Sequence, residues 1–145
     1  METTVRQLIN RKGNAVWSSQ PDATVFEALS LMAEKGIGAL LVFDEDTLVG
    51  IFSERDYARK VILKGKSSSS TAVGEIMTKT VLVVHPNQTM NECMALMTDK
   101  RIRHLPVMED DSVIGIISIG DVVKEIISEQ EFVIGQLENY IAGRR

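Results

Sequence analysis

Apolar residues recur at helical spacing in two stretches of the chain: Val25, Ala28, Leu29 and Met32, then Met90, Cys93, Met94 and Met97. Positions three and four apart share one helix face, so each stretch predicts an amphipathic helix lying on a core. Each is preceded by a start signal, Thr24-Val25-Phe26-Glu27 and Thr89-Met90-Asn91-Glu92. In such a capping box the Thr hydroxyl and the Glu carboxylate take up first-turn amides that lack a helical partner. Two strand-length apolar runs follow each helix, Ala39–Phe43 with Leu48–Phe52 and Leu105–Met108 with Val113–Ile117. Acidic turns join them, Asp44-Glu45-Asp46 and Glu109-Asp110-Asp111. A short strand is expected before each helix, Ala15 to Ser18 and Val81 to Val84, closed by Gln20-Pro21 and His85-Pro86. A second helix starts after Ser53 and after Ser118, the last running from about Gly120 to Ile141 with a soft point at Gly135. The predicted unit is strand, helix, strand, strand, helix, with its helices on one side of a small sheet, in the α/β (α+β) class.

The pattern is a repeat. Pro21 and Pro86 stand 65 residues apart (86 − 21), and the offset holds without a gap for a long stretch. Thr24, Glu27, Lys35, Ile37, Leu40 and Val42 match Thr89, Glu92, Lys100, Ile102, Leu105 and Val107. Asp46, Gly50, Ile51, Ser53 and Asp56 match Asp111, Gly115, Ile116, Ser118 and Asp121. One supersecondary unit occurs twice, and the copies are expected to pack face to face because neither alone buries its apolar face. Residues 1–65 read as the first copy with its lead-in at Val5 to Ile9. Residues 66–79 read as a linker, beginning in the Lys64–Ser70 stretch, and a lead-in helix at Val73-Gly74-Glu75-Ile76-Met77. Residues 80–145 read as the second copy with its C-terminal helix.

Composition narrows the function. With 44% hydrophobic, 25% charged and 5% aromatic residues, the 145-residue chain is neither disordered, collagenous nor coiled coil. A net charge of −4 argues against general nucleic-acid binding, and Arg144-Arg145 is too short to change that. One cysteine, Cys93, precludes an internal disulfide, and with only His85 and His104 no Cys- or His-rich metal centre is available. No apolar run reaches the roughly 20 residues of a membrane span, and the first residues hold no apolar signal core, so a cytoplasmic, reducing compartment is expected.

The chemistry concentrates where a strand ends and a helix opens, at Gly50-Ile51-Phe52-Ser53-Glu54-Arg55-Asp56 and Gly115-Ile116-Ile117-Ser118-Ile119-Gly120-Asp121. Ser-x-x-Asp is itself a capping box and needs no ligand. It also suits one: a Ser hydroxyl and free amides at a helix start favour phosphate, and a carboxylate accepts both hydroxyls of a ribose cis-diol. Capping and binding are compatible, because a ligand can replace the bond from Asp to backbone. No nucleophile, base and metal occur as a constellation, so the chain is not expected to be an enzyme and no catalytic cofactor is called for.

From about Val5 to Ile127 the chain resembles a tandem pair of CBS domains, the two-copy unit called a Bateman module. The duplicated Gly-hydrophobic-hydrophobic-Ser-x-x-Asp, the run Ile102-Arg103-His104-Leu105-Pro106-Val107 and Glu75-Ile76-Met77 carry the likeness. The resemblance implies two repeats related by a pseudo-two-fold axis, homodimers of modules, and adenosyl compounds bound in clefts between the repeats. AMP, ADP, ATP, NAD(H) and S-adenosylmethionine share the adenosine that such a site reads. It implies one site with Ser53, Arg55 and Asp56 beside Leu82, Arg103, His104 and Pro106, and another with Ser118 and Asp121 beside Trp17, Gly38 and Ala39. Arginine grips phosphate bidentately, so the Asp56 site is expected to take the more phosphorylated ligand. The Asp121 site, with glycine and alanine there, is expected to take an adenosine end, a weaker ligand or nothing. The implied role is a nucleotide-sensing regulatory module that signals to a partner protein; the alternative is a dimerisation or interaction module without nucleotide.

Simpler roles stand beside these. His104 suits a packing or surface role as well as phosphate contact, and His85 before Pro86 reads as a turn residue. Cys93 on an apolar helix face reads as inert core. Trp17 either stacks on adenine or plugs the junction of the repeats. Val61-Ile62-Leu63 and Ile126-Ile127 serve either self-association or the core.

Overall fold

The computed structural model describes residues 2–143, so Arg144 and Arg145 lie outside the described residues. The chain forms two compact units, one of residues 16–81 and one that joins residues 2–15 to residues 82–143.

In the first unit, β1 (Ser18–Ser19) lies parallel to β2 (Ala39–Asp44), which pairs antiparallel with β3 (Thr47–Ser53). Between β1 and β2 runs α2 (Val25–Lys35), which follows α1 (Val5–Lys12) in chain order. Thr24 and Glu27 form the expected capping box on α2, and Gly36 closes it in the left-handed region at φ 66°. After β3, α3 (Glu54–Tyr57) runs into a π-helical turn at Ala58–Ile62, and α4 (Val73–Ile76) follows the linker.

The second unit repeats this with α5 (Met90–Lys100), β4 (His104–Glu109), β5 (Ser112–Ser118) and α6 (Ile119–Ile141). The β4–β5 hairpin reproduces β2–β3 down to the register irregularity, between Val42 and Phe43 in one and Val107 and Met108 in the other. The acidic turns place Glu45, Asp110 and Asp111 at positive φ, a conformation Asp tolerates at modest cost.

Three local expectations change. The first strand is only Ser18–Ser19, and its counterpart shrinks to a single parallel bridge from Val84 to Val107, because Pro21 and Pro86 end the extended segments early. Helix α6 runs unbroken through Gly135, whose cost of about 1 kcal/mol is small against 23 residues of helical hydrogen bonding. Third, the lead-in helices are exchanged. Val5–Lys12 precedes the first copy in sequence but packs in the unit of the second, where Val5, Leu8 and Ile9 join a core with Met90, Met97, Leu105 and Ile117. Conversely, α4 precedes the second copy and packs in the first, where Val73 and Ile76 join Val25, Met32, Leu40 and Phe52.

Backbone hydrogen bonds hold both exchanges in the same way. The Val5 and Arg6 amides donate to the Gln88 and Pro86 carbonyls at 2.8 and 2.9 Å, as the Val73 and Gly74 amides do to Ala23 and Pro21 at the same distances. Two glycines of the duplicated motif make room. A β-carbon on Gly115 would lie 2.6 Å from Ile9 Cδ1, and one on Gly50 would lie 2.5 Å from Met77 Sδ and 3.1 Å from the Thr78 carbonyl. The motif glycine is thus explained by close packing of a lead-in side chain.

Candidate functional site

Each motif sits at a strand-to-helix corner. Ser53 ends β3 and caps α3: its hydroxyl accepts the Asp56 amide at 3.2 Å, while its own amide donates to Asp56 Oδ2 at 3.0 Å. Ser118 does the same for α6, accepting the Asp121 amide at 3.2 Å and donating from its amide to Asp121 Oδ2 at 2.8 Å. Both Ser-x-x-Asp sequences therefore fold as capping boxes.

The surroundings of the two carboxylates differ. Asp56 is buried at 7% exposure, and both of its oxygens are engaged. Oδ2 also accepts the Ser53 hydroxyl at 3.1 Å, while Oδ1 accepts the Thr78 hydroxyl at 3.1 Å and the Lys60 ammonium at 3.0 Å. Lys60 lies one helical turn on and also donates to the Ile76 carbonyl at 3.0 Å.

Asp121 meets a cation from elsewhere. Lys12, the last residue of α1, donates to Asp121 Oδ2 at 2.5 Å and to the Ile116 carbonyl at 2.9 Å. Arg11 beside it pairs with Glu125 at 2.7 Å. Burial pushes the Asp121 carboxyl up, but the Lys12 ammonium and the Ser118 amide outweigh it and hold the group below the ordinary carboxylate value.

The start of the middle strand lies beside the motif of its own copy. Ala39 pairs with Ser53 and the Glu54 amide donates to the Gly38 carbonyl at 3.1 Å, so Gly38 and Ala39, expected beside Asp121, adjoin the Asp56 corner of their own copy. A groove of about 400 Å³ opens there, lined by Met32, Gly36, Ile37, Gly38 and Glu54 among others. His104 pairs with Ser118 and the Ile119 amide donates to the Arg103 carbonyl at 2.8 Å, so Arg103 and His104, expected beside Asp56, adjoin the Asp121 corner of their own copy. Burial, and then the nearby Lys12, lower the His104 imidazole below its ordinary value, with Asp121 opposing.

The remaining expected residues are distributed between the units. Arg55 is exposed on α3. Trp17 belongs to the unit of Asp56, is 41% exposed and carries the Lys35 ammonium 4.2 Å over its ring. Leu82 packs on the core of the Asp121 unit, and Pro106 is buried in β4. Cys93 is buried and its thiol is pushed up to about 11, first by desolvation and then by Glu92, which fits inert core. Among the described residues no cluster of three or more His, Cys, Asp or Glu could hold a metal ion. No helix among them is long and apolar enough to cross a membrane.

Lys12, Lys60 and Thr78 were not among the residues singled out from sequence. Lys60 carries a signal, its spacing of four from Asp56 on a helix. Lys12 stands 109 positions from Asp121 and carries none.

Comparison with known proteins places this architecture. The CBS domain family model matches residues 16–63 and 73–128. The mitochondrial CBS domain-containing protein CBSX3 of Arabidopsis thaliana is 40% identical over 151 residues, covering 97% of this chain and 73% of that one. A CBS-domain protein of Burkholderia ambifaria superposes with a TM-score of 0.85 at 52% identity, covering 88% of this chain and 96% of that one. The CBS domain pair of protein MJ0100, solved with 5′-methylthioadenosine and S-adenosyl-L-methionine, shares the fold at TM-score 0.78 and 23% identity, covering 89% of this chain and 99% of that one.

Proposed function

The chain belongs to the CBS domain family as a tandem pair, and from that premise we propose that it is a regulatory module that binds an adenosyl compound and passes the binding event to a partner protein. Proteins of this family are generally regulatory and non-catalytic. The observation that carries the reading is the duplicated corner, in which a Ser hydroxyl, helix-start amides and an Asp carboxylate converge at Ser53–Asp56 and again at Ser118–Asp121. Those groups match the phosphate and cis-diol of a ribonucleotide. The adenosyl class is supported by what family pairs commonly hold and by the two ligands of the MJ0100 pair.

In this reading Asp56 and Asp121 receive ribose, and Ser53, Arg55 and Ser118 lie toward phosphate. Trp17, Gly38, Ala39, Leu82, Arg103, His104 and Pro106 line the base and phosphate ends. AMP, ADP, ATP, NAD(H) and S-adenosylmethionine are the candidates, in a cytoplasmic homodimer. Ligand shifts the module only to the extent that its affinity differs between two placements of the repeats. Calorimetric titration of wild type, Asp56→Ala and Asp121→Ala with these compounds tests it. Binding by wild type that is lost in at least one variant supports the reading, and silence from every ligand with folded protein overturns it.

A second reading, an interaction module without nucleotide, rests on a different observation. On α6, Ile127, Phe132, Ile134, Leu137 and Tyr140 are all exposed. Self-association without any ligand binding, measured by sedimentation, would favour it.

A further inference from the structure

We propose that Lys12 is an internal competitor for the Asp121 carboxylate, a specificity-determining side chain that the ribose diol of a ligand must displace. The inference rests on the reading of Asp121 as a ribose-binding group.

The two carboxylates are not equally available. Asp56 is held on both oxygens by groups from β3, the π-helical turn and the segment after α4, and its side chain is 10% exposed. Displacing Lys60 alone leaves the Thr78 hydroxyl in place on the same oxygen. Asp121 is 26% exposed at its side chain, and its Oδ2 accepts both the Lys12 ammonium and the Ser118 amide. One of the two groups there, the Ser118 amide, belongs to the cap. The other is the Lys12 ammonium, the group that has to leave when a diol arrives.

Lys12 is built to leave. It ends α1, and Gly13 after it adopts φ 100° with open space where a side chain would stand. The helix itself stays fixed, because Val5 and Arg6 are bonded to the Gln88 and Pro86 carbonyls and Arg11 to Glu125. Only the last side chain needs to swing.

What happens to the displaced ammonium depends on the ligand. Lys12 and the Ser118 amide bond the same carboxylate oxygen, so the ammonium lies beside the start of α6, where a 5′-phosphate is favoured. A nucleoside monophosphate offers the displaced cation a new anionic partner, and a plain nucleoside leaves it with the Ile116 carbonyl and water. His104, held below its ordinary imidazole value, does not supply that charge at neutral pH. Lys12 therefore penalises adenosine and spares AMP at the Asp121 site.

The test is calorimetric titration of the full chain with adenosine, 2′-deoxyadenosine and AMP, for wild type, Lys12→Met and Asp121→Asn. Lys12→Met is expected to tighten adenosine by about tenfold, the worth of one charge-assisted hydrogen bond, and to shrink the preference for AMP by at least as much. 2′-Deoxyadenosine, which lacks the diol, gains little. In the unaltered chain the Lys12 ammonium resonance should shift when adenosine is added, and this decides the matter alone if Lys12→Met fails to fold. If Asp121→Asn abolishes binding but Lys12→Met changes neither affinity nor preference, Lys12 is excluded and the ribose role of Asp121 stands. If Asp121→Asn binds like wild type, or if no compound binds wild type or Lys12→Met, both ideas fall.

Discussion

The two copies solve the same electrostatic problem with different parts. In the first, the motif carboxylate Asp56 is answered from its own helix by Lys60, four residues on. In the second the corresponding position is Glu125, which adds a second negative charge on the same helix face as Asp121. The exchanged lead-in helix corrects it: Lys12 pairs with Asp121 and Arg11 with Glu125. One copy therefore carries a self-contained, buried carboxylate, and the other a more open one whose counter-ion arrives from the far end of the sequence. Sequence similarity between repeats does not guarantee equivalent sites, because one charge reversal changes which element must complete the corner.

Removing each carboxylate in turn separates the two copies by the largest expected effect. Asp56→Ala leaves the Ser53, Thr78 and Lys60 donors short of an acceptor in a buried corner, and should destabilise the chain by about 3 kcal/mol. Asp121→Ala loses a cap and a part-exposed ion pair, and should cost nearer 1 kcal/mol. Equal losses in urea unfolding would contradict the asymmetry.

The motif glycines give a smaller contrast. Gly50→Ala drives a β-carbon toward Met77 Sδ and the Thr78 carbonyl, and backbone cannot step aside, so a loss of about 2 kcal/mol is expected. Gly115→Ala meets only the outer atoms of Ile9, which can rotate, and about 1 kcal/mol should suffice. Thermal unfolding of the two variants should rank them in that order.

Acidification gives the smallest effect. The His104 value is lower in the folded chain than its ordinary 6.5, so the unfolded chain binds the proton more readily. Stability is then full above pH 6.5 and declines as the pH falls through that value toward the lower folded one. Asp121 adds a second loss at lower pH, because its depressed carboxyl contributes stability that disappears below the ordinary value of 3.8. His104→Gln should flatten the decline that begins as the pH falls through 6.5 and leave the one that begins near 3.8. A profile unchanged by His104→Gln would remove the imidazole from this account.

Much of this was legible in the residues. The capping boxes at Thr24, Thr89, Ser53 and Ser118 formed as their spacing required, since a cap is satisfied within four residues. The hairpins Ala39–Ser53 and His104–Ser118 and the duplication itself were visible for the same reason. The continuity of α6 through Gly135 was not, because propensity near one glycine is a weak local term.

Local sequence thus determined the repeat, its elements and the Ser-x-x-Asp corners, all of which depend on contacts a few residues apart. Tertiary structure alone decided that each lead-in helix serves the other copy, and so that Lys12 meets Asp121. That choice depends on amide bonds to Pro86 and Gln88 and on the space left by Gly115, groups 80 (86 − 6), 83 (88 − 5) and 106 (115 − 9) residues from their partners in α1. Which distant cation reaches a carboxylate is set by how apolar faces are buried, and only the folded chain settles it.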